Sequence, residues 1–443
     1  MQEESDNFVL TTTSRRDLAK LLRATGHPKR IEIINLLALS KTEYSQILRE
    51  TRLGRTALAN HLNILVKNGL ISRVERGTYE LTKDGSEFYR AIVETYSQSQ
   101  IRADLEHKMR LEKYTHIRNA EEQEMKIISK LKWQPRWVSH LGCVEGCLKY
   151  LKRKISTGWL YGGTGHAFIL NIAKDLCPSG PTAWRTDMLY QLAPNLGYRV
   201  EGIFARKNNA EFPKEQEKAW THAKKCIDNN IPCYGWELKI AEFYVINGYN
   251  DFGYFFSGPG YDDGTGPMPW KEIGTSQIGV LEVYSVHPQD SADPVKAIKQ
   301  SFERILYHST NPSDVIFPNY RSGLAGYDWW ITAIENGSAS SMGNSYNTAI
   351  WSECRKYAVD FLKESRKYVN QEVRKLIDEA RKQYEIVAHS LGQIENDYPF
   401  SLKLEHKPIG IDKRTDTALN ALRNAKNAEG KGLEILNEIV SII

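Results

Sequence analysis

Arg55, Thr56, Asn60 and Asn63 fall on one side of a 3.6-residue period, and Leu58, Leu62 and Leu65 fall on the other. Their chemistry is base reading: an arginine pairs bidentately with guanine and an asparagine with adenine at the major-groove edge. Arg73 and Arg76, beside Gly77, are donors of the kind that grip phosphates. Cys143 and Cys147 share one face of a helix, a metal half-site at most. No second pair or HxxxH completes it, so they read as packed thiols. The six cysteines, at 143, 147, 177, 226, 233 and 354, make neither a disulfide framework nor a CxxC pair, as in a reduced compartment.

The elements that must hold these groups can be read around them. From Tyr44 to Gly69 the chain predicts a short helix, a turn through Leu53-Gly54, and a second helix that exposes the polar set and buries the leucines. Residues 70–82 alternate apolar and polar on both sides of Arg76-Gly77, which predicts a hairpin, or wing. The segment Leu22-Arg-Ala-Thr-Gly-His-Pro-Lys-Arg-Ile-Glu-Ile-Ile-Asn-Leu-Leu37 resembles the opening "ALGHPTRLEILRLL" of the ArsR-like winged-helix repressors, and the reading helix and wing follow in order. The resemblance spans about seventy residues and implies a transcription regulator that binds double-stranded DNA. Metal-sensing members of that family carry cysteines in or near this domain; here none precedes Cys143, and His27 and His61 stand alone in sequence. No metal and no cofactor is expected.

With 443 residues the chain should hold two or three domains. Hydrophobic content of 41%, charged content of 26% and a net charge of +5 suit a folded protein; the charge is compatible with DNA binding without arguing for it. The acidic start and the lack of a run near 20 apolar residues predict a cytoplasmic protein with no membrane partner. The expected fold class is α+β multidomain: a polar tail over 1–16, a winged helix-turn-helix over 17–85, a helical linker over 86–132, a papain-like mixed α/β domain over 133–290, and a helical carboxyl-terminal region over 291–443. Phe88, Ile92, Ile101, Leu105 and Met109 give the linker an apolar stripe, read as the seam of a homodimer. One long helix is expected from about Tyr346 to Ile394, and a last one from Asp416.

The papain-like assignment comes from resemblance. Gly142-Cys-Val-Glu-Gly-Cys-Leu-Lys-Tyr-Leu151 resembles the "DCGPTCLRMI" segment of the peptidase domains of bacteriocin exporters, which implies that Cys143 stands where the nucleophile would be, at a helix start. In the strand matching their "HYVVV" and following "DP", Glu242 replaces the histidine and Gly258 the aspartate. Residues 155–168 are similar to the first domain of the butirosin-type acyltransferases, which implies acyl chemistry or the binding of a small amino or acyl compound. The favoured reading is a catalytically inactive shell that receives a small-molecule effector between Cys143, Trp159, Tyr161, His166, Trp184 and Glu242. The alternative is a cysteine-dependent acyltransferase or peptidase in which Cys143 acts with His166. Gly162-Gly-Thr-Gly165 lacks the GK[ST] ending of a phosphate loop, so nucleotide binding is set aside. Tyr327, Asp328 and Trp329 either face the cleft or dock the helical region.

Overall fold

The computed structural model describes residues 12–75, 77–97, 125–182, 190–401, 408–410 and 413–443. The chain forms two compact units, Met1–His116 and Ile117–Ile443. Arg76, Trp184 and most of the expected dimer seam lie outside the described residues.

In the first unit, α1 (Thr12–Thr25), α2 (Pro28–Leu39), α3 (Tyr44–Thr51) and α4 (Arg55–Lys67) precede the hairpin β2 (Ile71–Glu75) and β3 (Thr78–Leu81) and the helix α5 (Lys83–Ser97). A short β1 (Thr42–Glu43), not foreseen in the sequence, pairs antiparallel with β3 and makes a three-stranded sheet. Pro28 opens α2, where its missing N–H costs nothing, and the His27 ring accepts from Lys29 N at 3.1 Å. Arg52, at φ 51°, ends α3 in the left-handed region, and the chain restarts as α4 three residues later. Tyr44 Oη donates to the Arg55 carbonyl (2.8 Å) and Lys29 Nζ to that of Thr51 (2.7 Å), which fixes the turn. Ala24, Ile33, Ile34, Leu37, Ile47, Leu58, Leu62 and Leu65 form the core beneath it.

The second unit is built on an antiparallel sheet in the order β10 (Tyr261–Pro269), β9 (Gly253–Gly258), β8 (Phe243–Tyr249), β7 (Cys233–Trp236), β11 (Val280–Pro288), β6 (Tyr198–Arg206), with β4 (Lys126–Ile127) also on β8. Every residue of β8 and β9 is buried, so both faces of the sheet's middle are covered. The helices α6 (Ser139–Tyr150) and α8 (Phe212–Asp228) pack on it. A small second ladder joins β5 (Asn171–Ala173) to β12 (Tyr320–Ser322).

Residues 133–290 and 291–443, distinct in sequence character, belong to one compact unit with one contiguous core. The single long helix expected from Tyr346 to Ile394 is two: α11 (Ser341–Ser365) and α12 (Gln371–Asp397). Asn370 breaks the run because its side chain accepts from Val373 N at 3.0 Å and caps a new helix. The helices α9 (Pro294–Ser309), α10 (Gly323–Glu335) and α13 (Lys413–Ile442) complete this side, with α13 lying along α12, α10 and α9.

The glycines of the expected ligand turn serve packing. In the seven-residue helix α7 (Thr157–Gly163), a Cβ on Gly162 would fall 1.9 Å from the Phe361 ring, so α7 and α11 are in contact at a distance only glycine permits. Tyr327 donates to Glu429 (3.2 Å) and Asp328 pairs with Lys426, so these two residues dock α10 on α13. No helix among the described residues is long and apolar enough to cross a membrane.

Candidate nucleic-acid interface and the buried polar cluster

On α4 the described structure exposes Arg55, Thr56, Asn60 and Asn63 together, while Leu58, Leu62 and Leu65 are at most 1% exposed. Arg73 is exposed on β2. The polar face therefore stands on a rigid helix, with bidentate donors at its first and sixth positions.

The two histidines that are separate in sequence meet in space: the rings of His27 and His61 lie 4.6 Å apart, which corrects their reading as isolated residues. Burial, then His27 and Arg30, hold His61 below its ordinary pKa. A histidine depressed in the folded state adds stability that is present above its unfolded value near 6.5 and is lost as pH falls below it. Protection of α2 and α4 against hydrogen exchange, taken relative to the intrinsic rate at each pH, should therefore fall between pH 7.5 and 5.5, and His61→Gln should flatten that dependence. A pH response unchanged by His61→Gln would remove this pair as its cause.

In the second unit the described members of the sequence-derived set have different neighbours. Cys143 lies in the second turn of α6 with 0% exposure. Burial, then Cys147 and Glu242, push its thiol well above the ordinary range, so the helix-start argument for a thiolate fails at this position. The residue at the helix start is Ser139. It donates to Glu242 Oε2 at 2.5 Å and accepts from Phe243 N at 3.1 Å, while Tyr346 Oη donates to Glu242 Oε1. Burial raises the Glu242 pKa, and the bonds from Ser139 and Tyr346 oppose that rise. Trp137 and Phe400 pack edge-on against each other at 5.3 Å, and both meet the Tyr346 ring.

His140 and His166 stack at 5.8 Å deeper in the unit. His140 also meets Tyr190, Tyr234 and Phe243, and its Nε2 is 3.1 Å from Tyr234 Oη. His166 Nδ1 lies 2.9 Å from Thr164 Oγ1. Burial lowers His166 to about 4, and burial, then the neighbouring His166, hold His140 well below its ordinary value. Trp159 instead packs on Phe361 and Tyr368, and Tyr161 lies tilted against Tyr357 and donates to Glu353 at 2.5 Å.

Ser139, His140 and Tyr346 were not foreseen. A signal for the first two was available, since Trp137-Val138-Ser139-His140 runs straight into the apolar helix; Tyr346 lies more than a hundred residues from Glu242 and carries none. Iodoacetamide at neutral pH should modify the half-buried Cys177 long before Cys143. Rapid labelling that Cys143→Ala abolishes would instead restore the nucleophile. Among the described residues no group of three or more His, Cys, Asp or Glu side chains is arranged to hold a metal.

The family model of the bacterial regulatory proteins, arsR family, matches residues 27–73. No curated protein matches the chain. The matched residues run from the cap of α2 through α4 into β2, so the first unit carries an arsR-type helix-turn-helix, the domain of DNA-binding transcriptional regulators.

Proposed function

We propose that the chain is a DNA-binding transcriptional regulator whose second unit is a non-catalytic, papain-like receptor for a small molecule. The observation that carries the proposal is the arsR-type match over residues 27–73, within which Arg55, Thr56, Asn60 and Asn63 share the exposed face of α4. These side chains read base edges, and Arg73 and Arg76 bring the wing to the backbone.

The receptor reading is supported by the chemistry at the start of α6. Glu242 is held by two hydroxyl donors, Ser139 and Tyr346, with the rings of Trp137 and Phe400 beside them. A carboxylate among aromatic rings suits a small amino compound. The non-catalytic reading is supported by the burial that pushes the Cys143 thiol above its ordinary range and by the partner of Ser139, a carboxylate and not an imidazole. A homodimer fits the first unit, whose α1 and α5 expose Leu18, Leu22, Val93 and Tyr96.

The test is titration of a selected duplex with the full-length protein, with and without the low-molecular-weight fraction of a cell extract. The proposal expects the fraction to change the affinity for wild type and to lose its effect on Glu242→Gln, with sedimentation showing two chains per duplex. An affinity indifferent to every fraction would leave the DNA reading standing and remove the receptor.

A further inference from the structure

From the last turn of α6 the chain reads Lys149-Tyr-Leu-Lys-Arg-Lys154, four cations in six residues, and no acidic residue follows Glu145 until Asp175. The apolar members anchor the run: Tyr150, Leu151 and Ile155 pack against the core, which leaves Lys149, Lys152, Arg153 and Lys154 exposed. Their backbone is fixed, because Arg153 N donates to the Leu148 carbonyl at 2.9 Å and Lys152 N to that of Lys149 at 3.0 Å, with Lys152 at φ 56°. Glycine is the usual residue at such a left-handed position after a helix, so a lysine stands there against the backbone's preference. Between the end of α6 and the start of α7 the four cations, with Ile155 and Ser156, line a groove of about 550 Å³ whose wall carries no carboxylate.

Two of the four cations have work inside the unit. Lys149 Nζ pairs with Glu145 Oε1 at 2.8 Å, a carboxylate that Arg136 also holds, and Arg153 Nη2 donates to the Gln289 carbonyl at 2.5 Å. Lys152 and Lys154 have no ion-pair partner among the described residues. We infer that this groove is a second contact surface for duplex DNA, on which Lys152 and Lys154 grip backbone phosphates and add sequence-independent affinity to the reading by α4. Charge complementarity favours this occupant. A duplex presents one phosphate charge per about 1.7 Å of its axis, and cations that meet it release condensed counterions, which drives binding whatever the sequence. An ammonium is a compact point charge that suits such an array, whereas Arg153, the one bidentate reader in the run, is already occupied by a carbonyl. The surface belongs wholly to the second unit and depends on the DNA binding proposed for the first.

The experiment follows the full-length protein by fluorescence anisotropy on two labelled duplexes, a selected site and its scrambled version, across a series of potassium chloride concentrations. Lys152→Gln with Lys154→Gln should lower the slope of log affinity against log salt by about 2, one for each phosphate contact, and weaken both duplexes by the same factor. The preference between the two duplexes should survive, because phosphate contacts carry no sequence information. Lys375→Gln with Lys431→Gln, exposed positions on α12 and α13, removes the same charge elsewhere on the unit and should leave the slope unaltered. An unchanged slope in the first double variant overturns the inference, and so does an equal fall in the second, which would trace the effect to net charge alone. Capture of phosphatidylserine vesicles that the first double variant loses while its DNA slope stays that of wild type would assign the groove to a membrane and overturn it as well. A wild type that binds neither duplex removes the DNA reading and this surface together, whereas a wild type that binds both with the variant's slope removes only the surface.

Discussion

Arg355→Met is expected to destabilise the second unit by about 3 to 5 kcal/mol, the cost of leaving one member of a buried ion pair without its partner. Arg355 and Glu429 are 0% and 1% exposed, and the guanidinium is bidentate on the carboxylate, with Nε to Oε2 at 2.8 Å and Nη2 to Oε1 at 3.0 Å. Burial works against the guanidinium's charge, but Glu429 and the surrounding hydroxyls more than compensate and keep it protonated. Its Nη1 donates to the carbonyls of Ala167 and Ile169 at 3.0 and 2.9 Å, so α11, α13 and the turn after α7 are joined through one side chain. All ten tryptophans lie beyond residue 132, so urea unfolding followed by tryptophan fluorescence reports this unit alone. The double variant Arg355→Met with Glu429→Leu should recover a large part of the loss, because no charge is then left buried. A loss under about 1 kcal/mol for the single variant would show that the cluster relaxes or hydrates when cut.

Asn60→Ala and Arg55→Ala are each expected to reduce discrimination against the wrong base by about 1 to 3 kcal/mol, on the order of 5- to 150-fold, while leaving the fold intact. Both side chains are exposed on α4, and neither belongs to the core. Leu62→Ala supplies the contrast. It removes a side chain that is 1% exposed beneath the reading face, costs about 2 to 5 kcal/mol, and should abolish binding by unfolding the domain. Competition against single-base variants of a selected site, read beside circular dichroism, separates the two outcomes. Equal losses on every sequence for Asn60→Ala would make it a phosphate contact.

The helix-turn-helix was legible because its signals are local. Leucine spacing, the stop at Gly69 and the alternation about Gly77 each fix an element within a dozen residues, and α4, β2 and β3 fall where those signals place them. What the sequence hid was long-range. Nothing local shows that Tyr346 reaches Glu242, that Arg355 finds Glu429, or that Phe361 occupies the space above Gly162. The resemblance sets Cys143 at a helix start, whereas it lies one turn inside α6. The helix begins at Ser139, which moves the carboxylate's partner from a thiol to a hydroxyl.

Selection of duplexes from a randomised library by the full-length protein, at one fixed salt concentration, reaches the central claim most directly. Enrichment of a two-fold-symmetric site, with half-sites about one helical turn apart and a preference at one base position that Asn60→Ala erases, is the predicted result. A library that emerges unenriched, or a preferred site that substitutions on α4 leave unaltered, would contradict it.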